Sequence, residues 1–207
     1  MGLLRLLAED PLAFVLVAVP LLYSVIVHEV AHGWVAYKMG DPTAKWQGRL
    51  SLNPIKHLDP IGTLMLFLVG FGWAKPVPIN FNNISDKRRG LIFVSSAGII
   101  ANILFAFTAL LLFRLSSMSS SGMMAILVYY VVQINITLAA LNSIPIPPLD
   151  GSKILMGVAS GRVQYFLASL EPYGFFIIVG LLYLGILNPL IAFFREIIAT
   201  LIGILLP

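Results

Sequence analysis

Residues 28–32 read His-Glu-Val-Ala-His. Two histidines four positions apart lie on one face of a helix, where both imidazoles can reach a single divalent cation. Glu29, between them, is placed to take a proton from water that the cation activates. The chemistry suggested is metal-assisted hydrolysis, with His28 and His32 as zinc ligands and Glu29 as general base. A five-residue pattern with three fixed positions recurs by chance, so its surroundings carry more weight than the motif. Those surroundings are an apolar run from about 11 to 39. Ionisable groups inside a membrane-spanning helix are costly and mark functional sites. The bland alternative is two histidines capping or snorkelling near a helix end.

A catalytic zinc takes three protein ligands and keeps one position open. The chain has no cysteine, and the one histidine outside the motif is His57. The other carboxylates are Glu9, Asp10, Asp41, Asp59, Asp86, Asp150, Glu171 and Glu196. Asp150 stands out among them. It follows an apolar run, lies behind Pro145, Pro147 and Pro148, and precedes Gly151. Two readings stay open for it: third metal ligand, or N-cap of the next helix. For His57 there are three: a further ligand, a substrate contact, or a structural part of the 53–60 turn. Arg49 suits pairing with a carboxylate or a lipid phosphate better than catalysis.

The elements that must position these residues are apolar. Of the 207 residues, 59% are hydrophobic and 11% charged, against about 25% charged in soluble domains. Mean hydropathy is +0.95. A soluble domain of this size cannot bury so much apolar surface, so the solvent is lipid. Without cysteine there are no disulfides and no thiolate metal sites. The net charge of +4 fits basic loops flanking membrane spans. It does not fit nucleic-acid binding, because no basic patch alternates with exposed aromatics. The N-terminal run is too long for a signal h-region and reads as a retained span.

Residues 40–60 form a polar insert rich in Gly, Pro and Asn. Within it, the alternation over 46–52 predicts a short strand. Residues 61–73 are apolar but about 13 long, whereas a span needs ~20, so they are expected to dip in and return. Spans are expected over 91–115 and 123–141, joined by a small turn at 116–122. The prolines of 142–151 break the helix, and a short helix is expected near 152–159. The tail, 172–206, reads as one span plus an interfacial helix, or as two short spans. With 61–73 re-entrant, Lys38, Lys45, Arg49, Lys56, Lys75, Lys87, Arg88, Arg89, Lys153 and Arg162 share one face. Arg5 and Arg114 take the other. By the positive-inside rule the motif then faces the cytoplasm. The expected fold is an all-α polytopic membrane protein: a compact core of about four to six transmembrane or re-entrant helices, with a short extended or β element after the first helix. One membrane-embedded domain covers 1–207, with a catalytic core of about 11–160 and C-terminal helices of about 172–206.

Residues 142–151 read Asn-Ser-Ile-Pro-Ile-Pro-Pro-Leu-Asp-Gly. This segment, over a hundred residues after His-Glu-x-x-His in a membrane helix, resembles the site-2 protease family of intramembrane zinc metalloproteases. Gly48-Arg49, Asn53-Pro54, His57 and the 59–63 stretch resemble its short prokaryotic form, without PDZ or CBS modules. The likeness covers about 24–151. It implies that His28, His32 and Asp150 hold one Zn²⁺ per chain, that Glu29 is the general base, and that Asn142 positions or polarises the substrate carbonyl. It further implies a prokaryotic cell membrane and cleavage of a single-span protein: an anti-sigma factor, a tethered transcription factor or a signal-peptide remnant. One departure stands in Ala97-Gly98-Ile99-Ile100-Ala101-Asn102, where the family often has Ala-Gly-Pro-x-x-Asn. That questions the local helix geometry and leaves the zinc site alone. The rival readings are a metal-ion transporter and a non-catalytic scaffold. Polar residues gathered on one side disfavour the first, and an intact Glu29 the second. A helix hides its scissile bond, so an extended element, 46–52 or 76–81, is expected to add a strand to unwound substrate.

Overall fold

The computed structural model describes residues 3–69, 72–116 and 122–206. The short helix α1 (Leu3–Glu9) leads to Asp10, whose side chain accepts from the Ala13 amide and starts α2 (Pro11–Lys38). Pro11 suits the first turn, where its missing N–H costs nothing, and α2 continues through Pro20. Then come α3 (Thr43–Trp46), a 3₁₀ turn at Pro54–Lys56 and α4 (Pro60–Val69). Asp86 caps α5 (Lys87–Leu115) through the Arg89 amide. The rest is α6 (Met123–Asn142), α7 (Asp150–Val158), α8 (Gly161–Leu170), α9 (Gly174–Tyr183) and α10 (Leu187–Leu205).

Five stretches are long and apolar enough to cross a membrane: α2, α5, α6, the run formed by α8 and α9, and α10. The chain is a multi-pass membrane protein. Helices α2, α5 and α6 pack against one another, α7 against α5, and α10 against α6. Fully buried Ala106, Ala139 and Ala140 sit where α5, α6 and α10 meet. Small side chains let helices approach closely where lipid supplies no hydrophobic drive to associate.

Helix α4 is too short to cross a membrane. Its ten residues rise about 15 Å, half the ~30 Å hydrocarbon core. Beyond it, Ala74 bridges Leu58, and the Lys75 amide donates to the His57 carbonyl at 2.9 Å. The chain returns to the place it left, so both ends of the excursion share one side. Residues 70 and 71 lie outside the described residues, as do 117–121 of the expected 116–122 turn.

Two expectations need correction. Residues 46–52 are not a strand; the described residues hold none, only the isolated Leu58–Ala74 bridge. Trp46 ends α3, and Gly48 turns the chain at φ 63°. The alternation assumed apolar residues inside. Here Trp46 is 79% exposed, while Arg49 is buried because its guanidinium donates to the Lys75 carbonyl at 2.7 Å. Residues 74–80 hold neither helix nor strand, with Ala74 in the isolated bridge and Asn80 extended. The tail also starts earlier: its helical run begins at Gly161, ahead of 172, and two stretches, of 23 and 19 residues, are long and apolar enough to cross a membrane.

Candidate active site

Three side chains from distant parts of the chain converge. The Nε2 atoms of His28 and His32, on adjacent turns of α2, are 3.0 Å apart. Asp150, in the first turn of α7, brings Oδ2 to 3.1 Å from each. All three residues are buried. Leu149 holds the N-cap position of α7, so Asp150 is not the cap that the sequence left open. Its carboxylate points at the imidazoles instead.

The outer nitrogens of both imidazoles are committed. His28 Nδ1 donates to Asn102 Oδ1 at 2.6 Å, and His32 Nδ1 donates to the Val94 carbonyl at 2.7 Å. The orientation of Asn102 follows from its other bonds: its amide donates to the Ser24 carbonyl at 3.1 Å and to Asn135 Oδ1 at 2.7 Å. Asn135 in turn donates to Ser24 Oγ and to the Val131 carbonyl. With Nδ1 protonated, a neutral imidazole presents a bare lone pair at Nε2. Two such lone pairs and a carboxylate oxygen that accepts no hydrogen bond therefore face one point. They repel unless a proton or a cation sits among them. Ligands ~2.0–2.1 Å from a tetrahedral zinc lie roughly 3.3 Å apart, close to the 3.0 and 3.1 Å seen here. Two imidazole nitrogens and a carboxylate oxygen are an ordinary zinc donor set, so these residues fit the metal.

Gly98 lets α5 come this close. A Cβ there would lie 2.5 Å from His28 Cε1 and 2.6 Å from His32 Nε2. Ile99, in place of the family's usual proline, leaves α5 unbroken from Lys87 to Leu115.

Glu29 is half-buried beside the cluster. Its Oε2 accepts a 2.8 Å hydrogen bond from the Val77 amide. The 74–80 segment that supplies this donor is tied at both ends. Lys75 is held by the His57 carbonyl and by Arg49. At the far end Asp41, 0% exposed, accepts from the Asn80 amide at 2.7 Å and the Asn83 side chain at 2.8 Å. Asp41 also accepts from the Thr43 hydroxyl and amide. Burial opposes its charge, but these donors, Thr43 first, hold its carboxyl below the ordinary range.

The structure thus brings His28, Glu29, His32 and Asp150 together and leaves two other candidates apart. Asn142, the last residue of α6, donates its amide to its own helix at the Leu138 carbonyl, 3.0 Å away. His57 is 1% exposed, and its Nε2 donates to the Ser51 carbonyl at 2.7 Å. It is outside the His28–His32–Asp150 group and braces the loop that holds Lys75. Sequence reasoning named Asn102 within a family pattern but gave it no role, and it overlooked Asn135, Ser24, the Val94 carbonyl and the Val77 amide. Asn102 and Asn135 did carry a signal: an amide inside an apolar span must find a partner. The two backbone groups carried none.

A model of peptidase family M50 matches residues 114–184, which include Asn142 and Asp150. YwhC of Bacillus subtilis strain 168, named as a candidate zinc metalloprotease, is 40% identical over 77% of this chain and 76% of its own. Rip2 of Mycolicibacterium smegmatis, named likewise, is 30% identical over 84% of this chain and 69% of its own. No solved structure matches the chain. With geometry and relatives in agreement, the chain belongs to peptidase family M50, the site-2 protease family.

Proposed function

We propose that this chain is a zinc endopeptidase that cuts the transmembrane segment of a single-span membrane protein. The observation that carries the reading is the convergence of His28 Nε2, His32 Nε2 and Asp150 Oδ2 beside Glu29. The names of YwhC and Rip2 support zinc and proteolysis. His28, His32 and Asp150 hold one metal ion per chain. When bound, zinc supplies Lewis acidity, lowering the pKa of water towards ~7 and polarising a carbonyl.

The protein's own groups do the rest. Glu29, with Oε2 engaged, uses Oε1 to take a proton from the attacking water and returns it to the leaving nitrogen. Asn102 and the Val94 carbonyl keep the imidazoles in the tautomer that leaves Nε2 free. Asn142 orients or polarises the substrate carbonyl by giving up its bond to Leu138. Unwound substrate lies along 74–80. Pro76 and Pro78 have no N–H, so there the segment offers carbonyls to the amides of the guest and no donors in return.

Residues 1–207 act as a single membrane-embedded domain in a prokaryotic cell membrane. The helix ends and connections on the motif's side carry Lys38, Lys45, Lys56, Lys75, Lys87 and Lys153, which supports a cytoplasmic active site. Neither a transporter nor a scaffold needs Glu29 held at the mouth of the cluster.

The test is zinc content and cleavage of a single-span reporter in detergent. Wild type should hold one zinc and cut; Glu29→Gln should keep the zinc and lose the cut. Zinc bound by both, with no cleavage of a broad panel of single-span reporters by wild type, would overturn the endopeptidase reading.

A further inference from the structure

The 74–80 segment is built around a single amide. Of Pro76, Val77 and Pro78, Val77 alone has an N–H, and that N–H goes to Glu29 Oε2 at 2.8 Å. The prolines on either side fix their own φ and leave no competing donor. The Val77 side chain is buried, and it packs on Gly33, one residue past His32 in α2. A Cβ on Gly33 would lie 2.7 Å from Val77 Cγ1. The segment thus rests on the helix that bears the motif, and glycine allows that approach. Its two ends are fastened to polar groups with no part in the metal cluster. Arg49 and the His57 carbonyl take Lys75, and buried Asp41 takes Asn80 and Asn83. A strap pinned at both ends, with one donor at its middle, fixes one oxygen of a carboxylate and leaves the other free.

We infer that the Val77 backbone amide is a positioning group for Glu29, presented by the strap 75–80 and anchored by Asp41 and Arg49. Holding Oε2 confines the rotation of the carboxylate and directs Oε1 towards the position of the attacking water. A general base works only within hydrogen-bond reach of the proton it removes, so this confinement acts on turnover and not on substrate affinity. Val77 acts through Glu29 and takes no part in bond making. The inference rests on the reading of Glu29 as general base.

The test replaces valine 77 by its α-hydroxy acid, which turns the amide into an ester and removes the N–H while keeping the side chain. Val77→Ala, which keeps the N–H and loses methyl groups, is the conservative control. Each protein is assayed as the whole chain with a single-span reporter in detergent, for zinc content, kcat and KM. The ester should lower kcat at least about tenfold, as expected for loss of one bond to a charged group. Zinc content should stay within about twofold of wild type; any rise in KM reports the weaker ester carbonyl at Pro76, so kcat is the readout for Glu29, and Val77→Ala should keep its amide bonded to Glu29. A second readout is independent of turnover. The ¹⁵N-labelled Val77 amide should exchange slowly and lie downfield, with or without zinc, and Glu29→Ala should abolish both properties. An ester with the kcat of wild type, or one that loses zinc, overturns the inference. So does a Val77 amide that exchanges freely in wild type. If wild type cuts nothing while the Val77 amide behaves as described, the endopeptidase reading fails and the hydrogen bond stands alone.

Discussion

Replacing Asn102 by leucine separates what the buried amide does for the metal from what it does for the fold. Leucine has the same branched shape and number of side-chain heavy atoms, is bulkier, and has no polar atoms. In the variant, His28 Nδ1 loses its acceptor, and Asn135 Oδ1 and the Ser24 carbonyl each lose a donor. A stranded buried group costs about 1–3 kcal/mol in soluble proteins, but interhelical bonds in membranes average nearer ~0.6. Global stability is therefore a weak reporter. The bond to His28 is different, because it sets the tautomer and basicity of a metal ligand. Losing such a partner costs about 10–100-fold in metal affinity, equal to about 1.4–2.8 kcal/mol. The assay is competitive zinc titration against a chelator in detergent, with thermal melting of the same samples. Asn102→Leu should weaken zinc by that factor and lower the melting temperature slightly. Adding Asn135→Leu should recover part of the melting loss, since both partners of that bond are then apolar. It should recover none of the zinc affinity. Zinc binding within about twofold of wild type in Asn102→Leu would refute this account of how His28 is held.

Glu29→Gln should keep zinc and lose about 10²–10⁴ in kcat, measured with a single-span reporter. Gly98→Ala puts a methyl 2.5 Å from His28 Cε1, so zinc stoichiometry should fall well below one while the helical circular dichroism persists. Stripping the metal with a chelator should lower the melting temperature, and zinc should restore it, because three electron-pair donors then face one another at 3.0 and 3.1 Å. Asp41 has a pKa depressed from 3.8, so its contribution to stability is complete above that value and is lost as pH falls through the folded one. Wild type should therefore melt higher than Asp41→Asn near neutral pH, and the gap should close on acidification below the ordinary carboxylate range. A constant gap across that range would count against it.

The spans were readable because hydrocarbon demands long apolar runs and self-satisfied backbones. The same rule exposed 61–73 as too short to cross. His28 and His32 were readable because helical geometry fixes what a spacing of four means. Asp150 was singled out because so few carboxylates remained. What misled was the 46–52 alternation: at a membrane surface Trp46 faces outwards and Arg49 turns in to reach a backbone carbonyl. The tail start was set too late because polar residues of α8, such as Arg162 and Gln164, masked a helix that runs into α9. What stayed hidden was the support of the site. Val77 reaches Glu29 through an amide that every residue but proline has, so no side-chain pattern announces it.

The polar knot of Ser24, Asn102 and Asn135 joins α2, α5 and α6 within the hydrocarbon layer. Pulling any one of these helices sideways would bare amide and hydroxyl groups to lipid, which offers them nothing. The three are in effect laced together, and on the proposed function their bonds disfavour a doorway for a substrate helix between them. On that reading, admission falls to the parts outside the lacing, α4 and the later helices α8–α9 and α10. The metal cluster can then stay rigid while the wall beside it moves.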